Sequence, residues 1–156
     1  MVEVLFLDID GVLNDNSGSR LCADDNVRAF NLLIQRLRSP QIIISSSWRY
    51  LLINQEMTLK GFGTLLRTHG VLCSDLLRGY IDGVDWHPCG KCARSELIES
   101  WLEQNNPDAT ALVLDDLDLQ FTQPNIRFHR TNGRQGLLER DVVEILYAEG
   151  QSVIGR

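Results

Sequence analysis

Three short apolar segments, each followed at once by polar residues, constrain the fold of this 156-residue chain more than any other feature. The polar residues that follow them are Asp8-Ile9-Asp10, Ser45-Ser46-Ser47 and Asp115-Asp116. Near-continuous apolar runs of this length are typical of strands buried on both faces in a parallel sheet. A helical pattern, with Asp24 or Asp25 as its N-cap, separates the first two segments. The sequence therefore predicts an α/β sandwich with a mainly parallel central sheet, in which the first two strands are neighbours.

The rest of the chain contains weaker periodic patterns. Helices are expected between residues 48 and 70, at 93–104 and at 138–148. Short strands are expected at 71–73 and 126–129, and the Gly, Asp, Pro and Cys residues of 74–91 predict a loop. No insertion is long enough for a second domain, so we expect one domain over residues 1–156.

Charge and hydropathy narrow the partners and the location of the chain. Its 15 Lys plus Arg and 21 Asp plus Glu give a net charge of −6, which does not attract nucleic acids or anionic membranes. The apolar runs are far shorter than the roughly 20 residues that span a bilayer. The first residues resemble a strand and no secretory leader. We therefore expect a cytoplasmic protein without a membrane partner, in which any nucleic-acid binding comes from a local basic patch.

Four cysteines, Cys22, Cys73, Cys89 and Cys92, raise the question of a disulfide or a metal. In a cytosolic chain they are expected to be reduced thiols. Cys89 and Cys92 have the C-x-x-C spacing of half a zinc site, but Cys73 and the nearby histidines do not supply the other half at a regular spacing. Ordinary thiols are the favoured interpretation, and a zinc site is the alternative.

The polar residues at the strand ends predict a metal site. Parallel strands bring their carboxyl ends to one edge of the sheet, where open α/β sheets bind ligands. Asp8 and Asp10 point the same way in an extended segment, and Asp115 or Asp116 joins them. Such a cluster is costly unless a cation or protons neutralise it, and Mg²⁺ prefers oxygen ligands of this kind. We predict a magnesium site formed by Asp8, Asp10, Asp115 and Asp116, rather than a set of turn and cap aspartates.

Three motifs, in order along the chain, carry a family resemblance. Phe6-Leu7-Asp8-Ile9-Asp10-Gly11 resembles the first motif, D-x-D-G, of the haloacid dehalogenase (HAD) superfamily of phosphohydrolases. Ile42-Ile43-Ile44-Ser45 resembles its second motif, and Leu112-Val113-Leu114-Asp115-Asp116 resembles its fourth. The chain is most similar to the small, capless HAD domain of bacterial RNA-repair proteins, through Ser46-Ser47-Trp48-Arg49, Arg94-Ser95-Glu96-Leu97-Ile98 and Gly136-Leu137-Leu138. The resemblance implies a Rossmann-like three-layer sandwich and a magnesium-dependent phosphatase.

The resemblance also implies a role for each residue at the strand ends. Asp8 is expected to be the nucleophile that forms an aspartyl-phosphate, and Asp10 the general acid and base. Ser45 is expected to donate a hydrogen bond to a phosphoryl oxygen. Magnesium is expected to bind Asp8, the main-chain carbonyl of Asp10, and either Asp116 or Asp115, with Asp116 preferred.

The third motif of the superfamily is a basic residue, for which the sequence offers both Lys91 and Arg94. Arg94 is favoured because it directly precedes the helix pattern of the closer relatives, and because a guanidinium binds phosphate and carboxylate bidentately. Gly11, which permits the turn after the first motif, is assigned to substrate binding. Ser46 and Arg49, from the segment that follows the second motif, are assigned there as well.

The substrate is expected to reach an open site, because no segment is long enough for a cap domain. The resemblance implies a phosphate at the end of a nucleic acid, and a basic run could lie beside it, formed by Arg127, His129, Arg130 and Arg134. The other interpretation of this run is an edge strand guarded by charges. Two alternative functions are a phosphatase of a small phosphorylated metabolite or nucleotide, and a non-catalytic, HAD-like or receiver-like module that binds magnesium.

Overall fold

Five strands and five helices make up the part of the chain that the structure, a computed structural model, describes: residues 1–18 and 20–150. The strands are β1 (Val4–Leu7), β2 (Gln41–Ile44), β3 (Leu77–Tyr80), β4 (Ala111–Asp115) and β5 (Ile126–Arg130). The helices are α1 (Asp24–Arg36), α2 (Tyr50–Ile53), α3 (Leu59–Thr68), α4 (Arg94–Asn105) and α5 (Glu139–Ala148). None of these helices has the length and apolar character needed to cross a membrane.

The strands form one parallel sheet in the order β3-β2-β1-β4-β5. β1 is therefore central: Leu5 pairs with Ile42 on one side and with Leu112 on the other. The predicted pairing of the first two strands is confirmed, as is the Rossmann-like α/β fold class. No cap domain interrupts the described chain, because α2, α3 and β3 occupy the longest interval between the motifs.

Side chains that alternate along the strands divide the core into two layers. Leu5, Leu7, Ile42 and Ile44 pack on one face of the sheet, in a cluster with residues of α1, α3 and α5. Phe6 and Ile43 pack on the opposite face with α4. Trp101 of α4 meets the Phe6 ring edge-on at 5.5 Å between ring centres, so it packs in this layer.

Two local predictions are wrong. Residues 71–73 form a turn, and the strand in this region is β3, inside the stretch predicted as a loop. β3 lies at the edge of the sheet, where only Leu77 of its four residues is buried. Its sequence, Leu77-Arg78-Gly79-Tyr80, therefore contains no apolar run. Neither Asp24 nor Asp25 caps α1, since Ala23 is the N-cap and both acids lie in the first turn.

Candidate active site

The carboxyl ends of the three central strands bring the predicted residues together. Asp8 directly follows β1, Ser45 directly follows β2, and Asp115 is the last residue of β4. The hydrogen bonds between the strands of the sheet continue into the first two of these residues. The Asp8 N–H donates to the Leu114 carbonyl at 3.1 Å, and the Ser45 N–H donates to the Leu7 carbonyl at 3.0 Å. All three are buried, with exposures of 3% for Asp8 and 0% for Ser45 and Asp115. Their positions thus follow from strand register.

A group of three carboxylates forms at this edge. Asp8, Asp115 and Asp116 each offer an oxygen, and these oxygens lie within 4.8 Å of one another. Burial raises the pKa of Asp8 well above its usual value, and Asp115 and Asp116 add to this effect while Arg94 opposes it. Burial also raises the pKa of Asp115, again against Arg94. The group therefore favours a bound proton or cation. The Asp10 carboxylate does not belong to this close group among the described residues.

Arg94 is the cation of the group. Arg94 is the first residue of α4, and its Nη1 lies 2.9 Å from Asp115 Oδ2 and 3.4 Å from Asp8 Oδ1. Burial alone would lower the pKa of Arg94, but the Asp85 hydrogen bond and the carboxylate charges outweigh it and raise the pKa. Lys91 is exposed in the turn before α4, where its carbonyl accepts the His87 N–H. Of the two candidates for the third motif, Arg94 reaches the carboxylates.

Asp85, in the loop after β3, is a buried partner of Arg94 that the sequence analysis missed. Arg94 donates to both of its oxygens, from Nε to Oδ1 at 3.1 Å and from Nη2 to Oδ2 at 2.8 Å. Arg49 Nη2 donates to Oδ1 at 2.9 Å. Burial raises the pKa of Asp85, but hydrogen bonds from Arg94 and Arg49 outweigh it and lower the pKa. No periodic pattern distinguishes Asp85 from its acidic neighbour Asp82 in the sequence.

Arg49 is fully buried, with an exposure of 0%; both of its Nη atoms donate to the protein itself, and its buried Nε has no hydrogen-bond partner in the described part of the chain. Nη1 donates to the carbonyls of Ser45 and Ser46, each at 3.1 Å, and Nη2 donates to the Gly83 carbonyl at 2.8 Å as well as to Asp85. Arg49 thus ties the end of β2 to the loop that carries Asp85. The direct substrate contact that we expected for Arg49 stays a prediction.

The two serines after β2 differ in their hydrogen bonding. Ser46 Oγ accepts the Trp48 N–H at 3.2 Å and so caps the short 3₁₀ turn Ser47–Arg49. Ser45 Oγ is buried and has no hydrogen-bond partner. A buried hydroxyl without a partner costs about 1–3 kcal/mol, so a ligand oxygen that accepts from Ser45 would relieve that cost.

Asp10 lies at the open side of the group and is held by uncharged donors. Asn14 Nδ2 donates to Asp10 Oδ1 at 2.9 Å, and Trp48 Nε1 donates to Asp10 Oδ2 at 3.2 Å. Asn14 is buried, and its Oδ1 accepts the Gly11 N–H at 3.1 Å. The turn after β1 thus orients a half-exposed carboxylate through neutral hydrogen bonds.

Two glycines leave space for the Asp116 side chain. A Cβ on Gly11, where φ is +82°, would lie 2.4 Å from Asp116 Oδ2, and a Cβ on Gly133 would lie 2.5 Å from the same atom. Gly11 therefore serves both the turn and the position of Asp116. Its carbonyl accepts the Thr131 hydroxyl at 2.6 Å, which links this turn to the residue after β5.

A cleft of about 320 Å³ opens next to Asp10, and we call it the Trp48 cleft. Aromatic and aliphatic side chains form much of its wall, and an amide, a serine hydroxyl and two carboxylates contribute polar atoms. Its lining residues are Asp10, Ser47, Trp48, Tyr50, Leu51, Asn54 and Glu56. Trp48 therefore contacts both the cleft and Asp10.

Arg127, His129 and Arg130 of the basic run lie on β5, an edge strand, as the edge-strand interpretation predicts, whereas Arg134 lies in a turn after it. Arg127 lies 3.0 Å from Glu149, and His129 Nε2 lies 2.8 Å from Asp141 Oδ1. Arg130 Nε donates to the main-chain carbonyl of Asp116 at 3.0 Å. Through this main-chain bond, Arg130 contacts a residue of the carboxylate group.

The cysteines do not assemble a metal site in the described residues. Neither group of potential metal ligands found there contains a cysteine. Cys89 is exposed, Cys92 pairs with Trp86 in an isolated antiparallel bridge, and burial raises the pKa of Cys73 to about 11. These features fit the favoured interpretation of ordinary thiols.

The donor set at the carboxylate group fits magnesium. Both oxygens of Asp115 already accept hydrogen bonds, from the Leu117 N–H at 2.9 Å and from Arg94 at 2.9 Å. Asp116 is half-buried and its carboxylate lies beside Asp8. Asp8 and Asp116 are therefore the carboxylates best placed to bind an ion, and hard oxygen donors of this kind suit Mg²⁺.

Comparison with known families agrees with this geometry. A family model described as the HAD domain in Swiss Army Knife RNA repair proteins matches residues 4–142. The match extends from β1 into α5 and includes every site residue named above. Searches among curated proteins and among solved structures produced no match. Because the family model covers most of the chain, this protein belongs to the family of HAD domains found in Swiss Army Knife RNA repair proteins, a branch of the HAD-type phosphohydrolases.

Proposed function

We propose that the chain is a magnesium-dependent phosphomonoesterase that acts through an aspartyl-phosphate on Asp8. One observation carries the proposal: the Asp8 carboxylate lies 3.4 Å from a buried guanidinium, on Arg94, and within 4.8 Å of two further carboxylates. A phosphate next to Asp8 would meet positive charge from Arg94, and the ion would offset the negative charge of the carboxylates.

The first half of the reaction transfers the phosphoryl group to the protein. An Asp8 carboxylate oxygen attacks phosphorus, the ester oxygen leaves, and Asp10 donates a proton to that oxygen. Asn14 and Trp48 position the Asp10 carboxyl group for this role, because their N–H groups donate to its two oxygens and fix its orientation. The Ser45 hydroxyl donates to a phosphoryl oxygen and thereby gains the partner that it lacks.

The second half releases phosphate. Asp10, now ionised, takes a proton from a water molecule, and the water oxygen attacks phosphorus. The bond between phosphorus and Asp8 breaks, which regenerates the Asp8 carboxylate and leaves Asp10 protonated for the next cycle. Asp8, Asp116 and the main-chain carbonyl of Asp10 would hold Mg²⁺, which when bound stabilises the ionised nucleophile and the phosphoryl charge.

A turnover assay tests this mechanism. We expect the chain to release many phosphates per molecule from p-nitrophenyl phosphate in Mg²⁺, and to lose this activity in a chelator. Stoichiometric labelling without release would indicate the receiver-like alternative, and binding of Mg²⁺ without labelling would indicate a non-catalytic module.

We propose further that the physiological substrate is a phosphate at the end of a polynucleotide. The family description, the absence of a cap domain in the described chain, and the position of Arg130 beside Asp116 support this substrate. The net charge of −6 opposes it, so the affinity must come from local contacts.

A substrate panel tests this part separately. Phosphorylated oligonucleotides are expected to exceed mononucleotides in kcat/KM, and Arg130→Ala is expected to remove much of that advantage. Arg127→Ala is the matched control, because Arg127 pairs with Glu149. A preference for a sugar phosphate or a mononucleotide would support the small-metabolite alternative instead.

A further inference from the structure

The Trp48 cleft adjoins the proposed general acid and has no role in the mechanism described so far. Asp10 lines this cleft, and the Trp48 indole that forms its wall donates to Asp10 Oδ2 at 3.2 Å. The oxygen that Asp10 protonates belongs to the leaving group. The portion of the substrate attached to that oxygen therefore faces the cleft.

The chemistry of the lining selects an uncharged group with a flat ring. Trp48, Tyr50 and Leu51 provide apolar surface, and Asn54 provides an amide that can donate and accept hydrogen bonds. Among the described residues that line the cleft, the charged ones are the acids Asp10 and Glu56. A second phosphate placed inside the cleft would therefore be repelled.

The size of the cleft limits the occupant to one small group. Its volume of about 320 Å³ lies at the lower end of small-molecule sites, which span roughly 300–1,000 Å³. Bases stack on accessible indole surface with little dependence on sequence, and the half-buried Trp48 presents part of its surface to the cleft. We propose that the Trp48 cleft binds the nucleoside that carries the scissile phosphate, with its base against the Trp48 ring. This inference rests on the proposed phosphatase function and specifies the leaving group.

A pair of substrates isolates the contribution of the base. Adenosine monophosphate and the phosphate of methyl β-ribofuranoside share the sugar and the leaving oxygen, and they differ only in the base. Each is measured as the 5′- and as the 3′-phosphate with the full chain in Mg²⁺. The adenosine compound is expected to have a kcat/KM about tenfold or more higher at the preferred position.

Substitutions of Trp48 separate stacking from its hydrogen bond to Asp10. Trp48→Leu and Trp48→Phe both remove the indole N–H, so both are expected to slow both substrates. Only Trp48→Leu removes the ring, so it should bring the ratio of the two kcat/KM values close to one, whereas Trp48→Phe should keep most of the ratio. Trp86→Leu is the matched control, because Trp86 is 56% exposed and does not line the cleft.

The outcomes distinguish this inference from the function on which it rests. A ratio near one in the unmodified chain, or a ratio that Trp48→Leu leaves unchanged, would overturn the cleft assignment while the phosphatase activity stands. The ratio of the two kcat/KM values in the unmodified chain is decisive by itself. It tests the cleft assignment even if the Trp48→Leu variant does not fold. No turnover of any phosphate, p-nitrophenyl phosphate included, would contradict the proposed function and the cleft assignment together.

Discussion

The two sides of the site hold their charges in different ways. On the buried side, Arg94 binds Asp85 through two hydrogen bonds and also Asp115, and Arg49 binds Asp85 from the other direction. On the open side, Asp10 is half-exposed. In the described part of the chain, its carboxylate accepts hydrogen bonds from two uncharged donors, the side chains of Asn14 and Trp48.

In the proposed mechanism, this difference separates groups that set geometry from groups that react. Breaking a buried ion pair costs about 3–5 kcal/mol, whereas a neutral hydrogen bond contributes about 1 kcal/mol. The buried side is therefore suited to holding Asp8 and Arg94 in one arrangement. The open side can exchange protons, bind an ion and release a product, because its groups are held weakly and reach solvent.

Asp8 lies where the two sides meet, so its replacement is expected to have the largest effect. Asp8→Asn removes the nucleophile and keeps its shape, and we expect a loss of at least about 10⁴-fold in kcat. The measurement is steady-state turnover of p-nitrophenyl phosphate in Mg²⁺. Activity within tenfold of the unmodified chain would exclude the covalent mechanism.

The same substitution has a predicted effect on stability. Burial and the charge of Asp115 raise the folded-state pKa of Asp8, so the unmodified protein loses stability as pH rises from about 4 through that raised pKa. Asn cannot ionise. In the absence of Mg²⁺, Asp8→Asn is therefore expected to melt at a higher temperature than the unmodified chain at pH 8, and this difference should shrink towards pH 4.

Asp10→Asn tests the proton-transfer role of the open side. We expect kcat to fall about 10²–10⁴-fold for alkyl phosphates, because the leaving oxygen loses its proton donor. The loss should be smaller for p-nitrophenyl phosphate, whose leaving group needs little protonation. Equal losses for both kinds of substrate would contradict this role, and Asp118→Asn, at an exposed carboxylate, is the matched control.

Arg94→Lys tests the cation of the buried side. An ammonium cannot reproduce the contacts that the guanidinium makes with Asp8, Asp85 and Asp115, so kcat/KM is expected to fall by about 10²-fold. Lys91→Ala, at the other candidate for the third motif, is expected to stay within about twofold because Lys91 is exposed. A larger loss in Lys91→Ala than in Arg94→Lys would reverse the assignment.

Asp85→Asn tests how strongly the buried side supports the site. It leaves Arg94 and Arg49 without their shared carboxylate, and we expect the free energy of unfolding to fall by about 3 kcal/mol at pH 7. Hydrogen bonds lower the pKa of Asp85 against the effect of burial, so its contribution is present above about pH 4 and is lost as pH falls through the lowered pKa.

Urea unfolding at several pH values measures this contribution. The difference between Asp85→Asn and the unmodified chain should narrow below pH 4, and Asp108→Asn, at an exposed acid, should differ little at any pH. A difference that stays constant with pH would show that the charge of Asp85 is not what stabilises the fold.

Gly133→Ala tests the position of Asp116 and is expected to have the smallest effect. The added Cβ would lie 2.5 Å from Asp116 Oδ2, so the carboxylate must move. We expect the Mg²⁺ concentration for half-maximal activity to rise about tenfold, as for other losses of support to a metal ligand. Gly18→Ala is the control, because its Cβ meets nothing within 4 Å. An unchanged Mg²⁺ requirement would argue against Asp116 as a ligand.

The central strands could be predicted from the sequence because burial on both faces demands continuous apolar runs. β1, β2 and β4 all have this pattern, and each ends at, or one residue before, the first of the polar residues that follow its apolar segment. β3 could not be predicted, because an edge strand with a solvent-exposed face needs few apolar residues.

The acids at the strand ends could also be predicted, since the register of a parallel sheet brings the ends of neighbouring strands together wherever the intervening chain runs. The partners that set their charges could not. Asp85 lies in a loop without periodicity, and Arg49 points its guanidinium at main-chain carbonyls, which no residue pattern indicates. Local patterns thus determine which strands form and which residues end them, whereas long-range packing decides that Arg94 binds the carboxylates, that Arg49 is buried, and that Trp48 meets Asp10. The Arg94–Asp115 contact joins residues 21 positions apart and the Trp48–Asp10 contact residues 38 positions apart, and their geometry depends on how the loops pack onto the sheet.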